Sequence, residues 1–324
     1  MKKDLFATIL PARRLDLPPS GGQEGMQTTA RADARRRVGR FREARSTRAL
    51  RATLATLSGV APRVAAHVGY RLLSTPPRVA ERPWQRAIRL QARVERIRFG
   101  RGDLAVYTWG EAGRPTVLMV HGWGARATHM GRMIEPLVAA GLRVVSFDAP
   151  AHGASWRGTT DLVEFAGAVD QVARHAGPLH AVIAHSFGAA MAQLAARDWG
   201  LQTDRQVLIS SFDHCNWFCD AFGFHVGLPP AVVERMKRAM VTRNNGRFDW
   251  DRTSVVEMLR HSPRPTLLVH DEDDLEIPFA HSVALRDASV HATLLATRGL
   301  GHHRLLGDRS VIDRVVGFVR EAAD

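Results

Sequence analysis

A serine in a tight strand-to-helix turn is the first candidate for chemistry in this sequence. Ser186 lies in the run Ala184-His185-Ser186-Phe187-Gly188, between an apolar segment and a segment rich in small residues. The run nearly matches G-x-S-x-G, a pattern that lifts a serine hydroxyl out of a sheet at the start of a helix. Strand and helix crowd together there, so the outer positions must be small, as Ala184 and Gly188 are. The pattern predicts Ser186 as a nucleophile.

A serine hydroxyl needs a base to take its proton and a third group to orient that base. The candidate base is His302, which follows Gly-x-Gly after the last predicted strand, and His303 is the alternative. These residues predict a proton shuttle at the C-terminal end of the chain.

Five acidic residues follow the second-last predicted strand and compete to orient the base. Asp274 is favoured because it lies four residues before a proline that is predicted to open the next helix. Asp271 and Asp273 are interpreted as loop-capping or solvated acids. Asp213, after another strand, is an outside candidate.

Acyl transfer also needs backbone N–H donors aimed at the oxyanion of its tetrahedral intermediate. The N–H of Phe187, directly after the serine, is one candidate. The N–H of Trp123, in the glycine-containing segment 121–124 after an apolar strand, is the other. The residues expected to contact the substrate are His121, Trp217, Phe218 and Phe222.

Apolar segments alternate with helix-length segments from about residue 93 onwards. Strands are predicted at 93–99, 103–109, 116–120, 143–147, 180–185, 206–210, 265–269 and 291–296. Helices are predicted at 126–140, 160–176, 187–199, 278–288 and 308–322. The later strands are continuous apolar runs, which indicates burial on both faces. This alternation predicts a mostly parallel sheet with helices on both sides.

Two further segments flank or interrupt the alternation. Residues 53–91 are predicted to form helices that pack on the core. An apolar stripe with a spacing of four marks the first helix, at Val60, Val64, Val68 and Leu72. Residues 212–260 separate two strands and hold seven of the chain's aromatic residues. An insertion after the C-terminal end of a strand lies over the ligand crevice of an open sheet, so this segment is predicted to be a cap.

The net charge of +13 is concentrated at the N-terminal end of the chain. Residues 1–100 carry 22 Lys and Arg against 7 Asp and Glu, and the remaining residues carry 23 against 25. Residues 1–52 are therefore expected to be a basic, disordered leader. We expect no nucleic-acid binding by the core, whereas a binding role of the leader stays open.

The remaining composition argues for a protein without cofactor, metal or membrane span. Two cysteines favour a cytoplasmic location. No apolar run approaches the ~20 residues of a membrane-spanning helix. A set of four metal ligands is supplied neither by the His302-His303 pair nor by His214 with the two cysteines. The sequence also lacks a phosphate-binding glycine loop. We expect a monomer or homodimer.

Taken together, these motifs resemble the α/β-hydrolase-fold serine hydrolases, in particular esterase- and lipase-like members. The matching segments are HGWG at 121–124, FDAPAHGAS at 147–155, AHSFG at 184–188, DEDDLEIP at 271–278 and GLGHH at 299–303. The resemblance implies an eight-stranded, mostly parallel sheet flanked by helices, with a small helical cap. It assigns 92–211 and 261–324 to the core and 212–260 to the cap, and it favours Asp274 as the acid.

The resemblance also implies a reaction. A serine at position 186 argues against epoxide opening and halide removal, for which family members use aspartate. It favours a small or medium carboxylic ester or thioester as substrate, hydrolysed through an acyl-enzyme. The alternatives are cleavage of an amide or carbon–carbon bond, and a non-catalytic ligand-binding role.

Overall fold

An eight-stranded sheet forms the centre of the computed structural model, which describes residues 45–245 and 248–321. The strands are β1 (Arg93–Phe99), β2 (Gly102–Trp109), β3 (Thr116–Val120), β4 (Arg143–Asp148), β5 (Leu179–His185), β6 (Arg205–Ile209), β7 (Thr266–Asp271) and β8 (Ala292–Thr297). Their spatial order is β1-β2-β4-β3-β5-β6-β7-β8. β2 pairs antiparallel with β1 and β4, and the other pairs are parallel. The predicted mostly parallel sheet is confirmed, with every strand within two residues of its expected bounds.

Helices cover both faces of this sheet. They are α1 (Arg45–Val60), α2 (Pro62–Leu73), α3 (Pro83–Leu90), α4 (Ile134–Ala139), α5 (Leu162–Ala176), α6 (Phe187–Trp199), α7 (Cys215–Val226), α8 (Pro230–Arg243), α9 (Val255–Arg260), α10 (Ala280–Ala288), α11 (Gly301–Arg304) and α12 (Arg309–Arg320). Turns of 3₁₀ helix lie at Ala127–Met133, Trp250–Arg252 and Leu305–Gly307. None of the helices in the two described segments combines the length and the apolarity that crossing a membrane requires.

The central strands are apolar throughout because each of them is buried on both faces. Along β3, Leu118 and Val120 join the hydrophobic cluster on the side of α5, α6 and the cap. The alternate residues Val117 and Met119 join a second cluster with α4 and α12. Successive side chains of a strand point to opposite faces, so a continuous apolar run supplies both clusters. The sheet is thereby held rigidly between two hydrophobic layers.

The N-terminal helices pack on the cap, and only half of the apolar stripe predicted there contacts the core. α2 packs against α8, while α1 packs against α2 and α7. Val60, the last residue of α1, and Val64 are 77% and 51% exposed, whereas Val68 and Leu72 pack half-buried against the core cluster. The fully buried face of α2 carries small residues such as Ala65 and Gly69. A Cβ at Gly69 would lie 2.7 Å from the Leu228 side chain, so the close approach to the cap needs small residues. α1 also starts inside the expected leader, and residues 1–44 lie outside the described residues.

Two helices of the 212–260 segment, α7 and α8, are joined by a buried lysine. Lys237 Nζ of α8 lies 2.7 Å from Asp220 of α7 and 2.9 Å from Glu234. The indole of Trp250 donates to the Lys237 carbonyl and so ties the following 3₁₀ turn to α8. α9, at the end of the segment, packs instead on α6 and α10. The cap proper is therefore the α7–α8 pair.

Candidate active site

Ser186 occupies the turn between β5 and α6 in a conformation that non-glycine residues rarely adopt. Its backbone angles are φ 57° and ψ −126°. The turn is tied to the next strand because the Ser186 N–H donates to the Ile209 carbonyl over 2.8 Å. Positive φ at a residue with a Cβ costs of order 1–3 kcal/mol and persists where the surroundings impose it. The turn thus holds Ser186 at the carboxyl edge of the sheet, where its side chain lines a cavity.

Glycines make room for this turn. A Cβ at Gly188 would lie 2.3 Å from the carbonyl oxygen of His121 and 2.8 Å from that of Val120. A Cβ at Gly122 would lie 3.1 Å from the Cβ of Ser186. The backbone after β3 therefore passes directly beside the serine; a side chain at position 188 would clash with backbone, and one at position 122 would be tightly packed.

His302 and Asp274, which are 28 residues apart in sequence, are hydrogen-bonded to each other in the structure. His302 Nδ1 lies 2.7 Å from Asp274 Oδ2, and both side chains are almost completely buried. The other oxygen of Asp274 accepts the backbone N–H groups of Glu276 and Ile277 over 2.8 and 3.0 Å. The carboxylate is therefore fixed in orientation, and the imidazole retains Nε2 for proton transfer. His302 lines the same cavity as Ser186.

The competing acids serve other contacts. Asp271 accepts hydrogen bonds from Thr297 Oγ1 and from the backbone N–H of Leu300, which joins the loop after β7 to the loop after β8. Asp273 accepts the backbone N–H of Gly299 over 3.1 Å. Asp213 lies 2.9 Å from His281, and both are buried. Asp271 and Asp273 thus have the loop-capping contacts expected of them.

The electrostatics of the pair favour charge on both members. Burial alone would lower the pKa of His302, but the carboxylates of Asp274 and Glu276 outweigh burial and raise the pKa to about 9. Glu276 contributes because its Oε2 lies 3.9 Å from His302 Nε2. Burial would raise the pKa of Asp274, but the neighbouring His302 and hydrogen bonds from His270 and His302 hold it well below its usual range. Asp274 is therefore ionised, and an imidazolium formed during proton transfer is stabilised.

The two candidate oxyanion donors flank Ser186. Phe187 follows it in the chain, and Trp123 belongs to the segment whose Gly122 contacts the serine Cβ. In the described part of the chain, the backbone N–H groups of Trp123 and Phe187 have no acceptor. The rings of the two residues pack edge to face with centroids 4.9 Å apart. Both N–H groups thus remain the candidate oxyanion donors.

A cavity of about 710 Å³ lies between the sheet edge and the cap. Its apolar part is lined by Trp123, Phe212, Trp217, Phe218, Ala221, Phe222 and Ile277. Phe218 of α7 reaches down to the core, with its ring 4.6 Å from Phe187 and 5.7 Å from Trp123. The lining also includes four arginines, Arg82, Arg126, Arg132 and Arg304, against one acid, Glu276. The cap and core together therefore form a chamber with an aromatic wall and an excess of cationic lining residues.

His121 differs from the other expected substrate contacts. Trp217, Phe218 and Phe222 line the cavity, whereas His121 is completely buried and does not. Its Nε2 accepts the backbone N–H of Ala149 over 3.0 Å, and its Nδ1 lies 2.7 Å from the Gly122 carbonyl. Its role is to hold the segment after β3 in shape, so its assignment to substrate binding is corrected.

Residues 117–314, more than half of the chain, match the model of the alpha/beta hydrolase family. The chain belongs to this family. The match includes Ser186, Asp274 and His302, and it spans the cap as well as the core strands from β3 onwards. No curated protein matches the sequence.

Solved structures of other hydrolases share the fold at low sequence identity. A putative lipase from Acinetobacter baumannii AYE superposes with a TM-score of 0.57 at 16% identity, over 74% of this chain and 97% of that chain. A bacterial membrane phospholipase A gives a TM-score of 0.57 at 20% identity, over 83% of this chain and 98% of that chain. A thioesterase domain from the curacin biosynthetic pathway gives a TM-score of 0.54 at 17% identity, over 71% of this chain and 99% of that chain. These likenesses establish the alpha/beta hydrolase fold.

Three residues beside the candidate site of this alpha/beta hydrolase were not assigned from the sequence. Glu276 belongs to the acidic run after β7, but its position beside His302 follows from the loop conformation. His185 precedes the serine, and its ring lies 4.7 Å from that of His302. His129 lies in a 3₁₀ turn whose sequence carries no motif, 3.4 Å from His303 Nδ1. The one available signal was the position of His185 in the turn itself.

Proposed function

We propose that this chain is a serine hydrolase that cleaves a small or medium carboxylic ester or thioester through an acyl-enzyme. The observation that carries the proposal is the 2.7 Å hydrogen bond between Asp274 and His302, on a histidine that shares a cavity with Ser186. A hydroxyl at a strained turn, an imidazole and a buried carboxylate are the three groups that this chemistry requires. The order Ser186, Asp274, His302 along the chain is also the order of this family's motif.

The reaction proceeds in two halves. Ser186 Oγ attacks the substrate carbonyl carbon while His302 Nε2 takes the hydroxyl proton, and the carbonyl oxygen becomes an oxyanion. The Trp123 and Phe187 N–H groups donate to that oxyanion. The intermediate collapses, the bond to the leaving group breaks, and His302 returns the proton to the departing alcohol or thiol. Water then attacks the acyl-enzyme by the same route and releases the carboxylic acid.

The cavity supports an apolar acyl group. Its aromatic wall is contributed mainly by the cap, and ligand pockets of this size and composition enclose most of a small molecule's surface. The arginines of the lining support a leaving group that carries negative charge, because four cations line the cavity against one acid. A thioester or ester with an anionic leaving group therefore fits better than one with a cationic group.

Replacement of the serine tests the proposal. We expect Ser186→Ala to lower the turnover of nitrophenyl esters by ~10³-fold or more and to abolish labelling by a fluorophosphonate probe. Ser58→Ala, in α1, is the control and keeps both, because its hydroxyl bonds within its own helix. Unchanged turnover or labelling in Ser186→Ala refutes the proposal. Faster cleavage of amides or diketones than of matched esters and thioesters would move the enzyme to another reaction of the same fold.

A further inference from the structure

Four histidines cluster beside Ser186, and the proposed reaction uses one of them. The rings of His185 and His302 have centroids 4.7 Å apart, those of His302 and His303 4.9 Å, and those of His129 and His303 5.4 Å. One ring nitrogen each of His185, His302 and His303 lies within 4.8 Å of the others. Imidazole nitrogens are a ligand type that suits Zn²⁺, Cu²⁺ and Ni²⁺.

Each of the three rings directs one nitrogen at a protein oxygen, and the other nitrogen is a metal ligand once it has lost its proton; that of His303 now lies 3.4 Å from His129 Nε2. His185 Nε2 lies 3.1 Å from the His302 carbonyl oxygen, so it carries the proton and donates. His302 Nδ1 donates to Asp274, and His303 Nε2 lies 3.0 Å from Glu276 Oε1. Histidines that bind metals show this arrangement, with one N–H on a carboxylate or carbonyl and the other nitrogen on the metal.

A buried nitrogen without a partner points to a ligand. His185 is 2% exposed, and its Nδ1 has no hydrogen-bond partner in the described structure. A buried polar atom left unpaired costs about 1–3 kcal/mol, which a bound ligand would offset. His303 has a side chain that is 55% exposed, so an ion reaches the cluster from the cavity entrance. The carboxylates of Asp274 and Glu276 beside the cluster favour a cation there.

We propose that His185, His302 and His303 bind a divalent transition metal ion such as Zn²⁺, and that the bound ion blocks catalysis. Zn–N bonds of ~2.0–2.1 Å place tetrahedral ligands about 3.4 Å apart, so small side-chain rotations close the observed spacing. The fourth position is left for water. The inhibition rests on the proposed function, because the ion occupies the imidazole that serves as base. The binding of the ion does not rest on that function.

This site was not expected from the sequence, where the His302-His303 pair had no further ligand. His185 supplies the third imidazole from 117 residues away, across the edge between β5 and the loop after β8. The fold, which brings the ends of parallel strands together, creates the ligand set. The proposal thus departs from the sequence-based expectation that the chain lacks a metal site.

Binding is tested on the full chain after treatment with a chelator. We expect Co²⁺ to give the visible absorption of a tetrahedral nitrogen site, and calorimetry with Zn²⁺ to show one ion per chain. His303→Gln keeps the fold, because the side chain is exposed, and weakens Zn²⁺ binding at least ten-fold. His261→Gln, at a histidine whose side chain is 79% exposed and remote from the cluster, leaves binding unchanged.

The same variants separate binding from inhibition. In the wild type and His261→Gln, Zn²⁺ inhibits ester turnover at the concentration at which it binds. Turnover of each variant is normalised to its own metal-free rate. In His303→Gln, the Zn²⁺ concentration that halves this turnover is at least ten-fold higher than in the wild type. Absence of Co²⁺ absorption in the wild type, or equal Zn²⁺ affinity in the wild type and His303→Gln, overturns the proposal. A protein without esterase activity would still show the Co²⁺ absorption. Failure of the proposed function is therefore distinguishable from failure of the metal-site proposal.

Discussion

Replacement of Asp274 by asparagine tests the assignment of the orienting acid. Oδ1 of Asp274 accepts two backbone N–H groups, so the asparagine oxygen is expected to remain there. The amide NH₂ then faces His302 Nδ1, where the carboxylate now accepts over 2.7 Å. Two donors cannot face each other, so His302 must place its proton on Nε2. In that tautomer it is unable to take the proton of Ser186.

The expected loss follows from the distance and the burial of the pair. Both side chains are nearly inaccessible, at 5% for His302 and 0% for Asp274. For unit charges 2.7 Å apart, an effective dielectric constant of about 20 gives an attraction of roughly 6 kcal/mol. At ~1.4 kcal/mol per decade this amounts to about 10⁴-fold in rate. The tautomer argument predicts the same order, because the analogous Asp→Asn change in a serine protease costs ≈ 10⁴ in kcat.

The neighbouring acids are matched controls for this loss. Asp273→Asn keeps turnover within about three-fold, because an amide oxygen still accepts the Gly299 N–H. Asp271→Asn presents an NH₂ group to donors, so it lowers the free energy of unfolding by ~1–3 kcal/mol while turnover falls far less than in Asp274→Asn. The assay measures kcat/KM on a nitrophenyl ester together with thermal unfolding. If Asp274→Asn is the mildest of the three in kcat/KM, the reasoning is refuted.

Two further predictions concern the turn and the base. Gly188→Ala lowers kcat/KM at least 100-fold, because the new Cβ would lie 2.3 Å from a backbone oxygen. The control is Gly317→Ala, where no atom lies within 4 Å of the new Cβ; it leaves kcat/KM unchanged and keeps or raises the melting temperature. Equal activity of the two variants would contradict the crowding argument. In buffer with chelator, kcat/KM of the wild type rises with pH up to about 9, because His302 accepts a proton only when neutral and its pKa is raised to about 9. A profile that is flat from pH 6 to 9 would contradict this.

The sheet could be predicted from the sequence because its signals are local and strong. Buried strands are continuous apolar runs, and each run found in the sequence became a strand of the observed sheet. The candidate acid and base were reached for a related reason. Both follow the ends of neighbouring parallel strands, β7 and β8, and parallel pairing brings those ends to one edge. Strand order along the chain therefore carries information about which loops meet.

The buried face of an N-terminal helix was not predictable in the same way. The apolar spacing of Val60, Val64, Val68 and Leu72 indicated one helix. Val60 instead ends α1, Val64 of α2 faces solvent, and Val68 and Leu72 are half-buried against the core cluster. The face that is buried carries Ala65, Ala66 and Gly69 because its partner is another helix, α8, at close range. Periodicity of large apolar residues identifies a helix facing an open core. It misses a helix whose packing depends on small residues, because alanine and glycine have little hydrophobic signal.

The surroundings of the candidate base show where sequence reasoning ends. The pairing of His302 with an acid could be anticipated from loop order, but the approach of Glu276 to its Nε2 depends on how the loop after Asp274 turns. That turn is set by backbone N–H groups bonding to Asp274 itself, so one carboxylate orients the imidazole and also positions the second carboxylate. The negative charge on both sides of the ring follows from a single loop conformation. The metal site proposed at His185, His302 and His303 depends on the same charge, so the loop after β7 links the strength of the base to its affinity for cations.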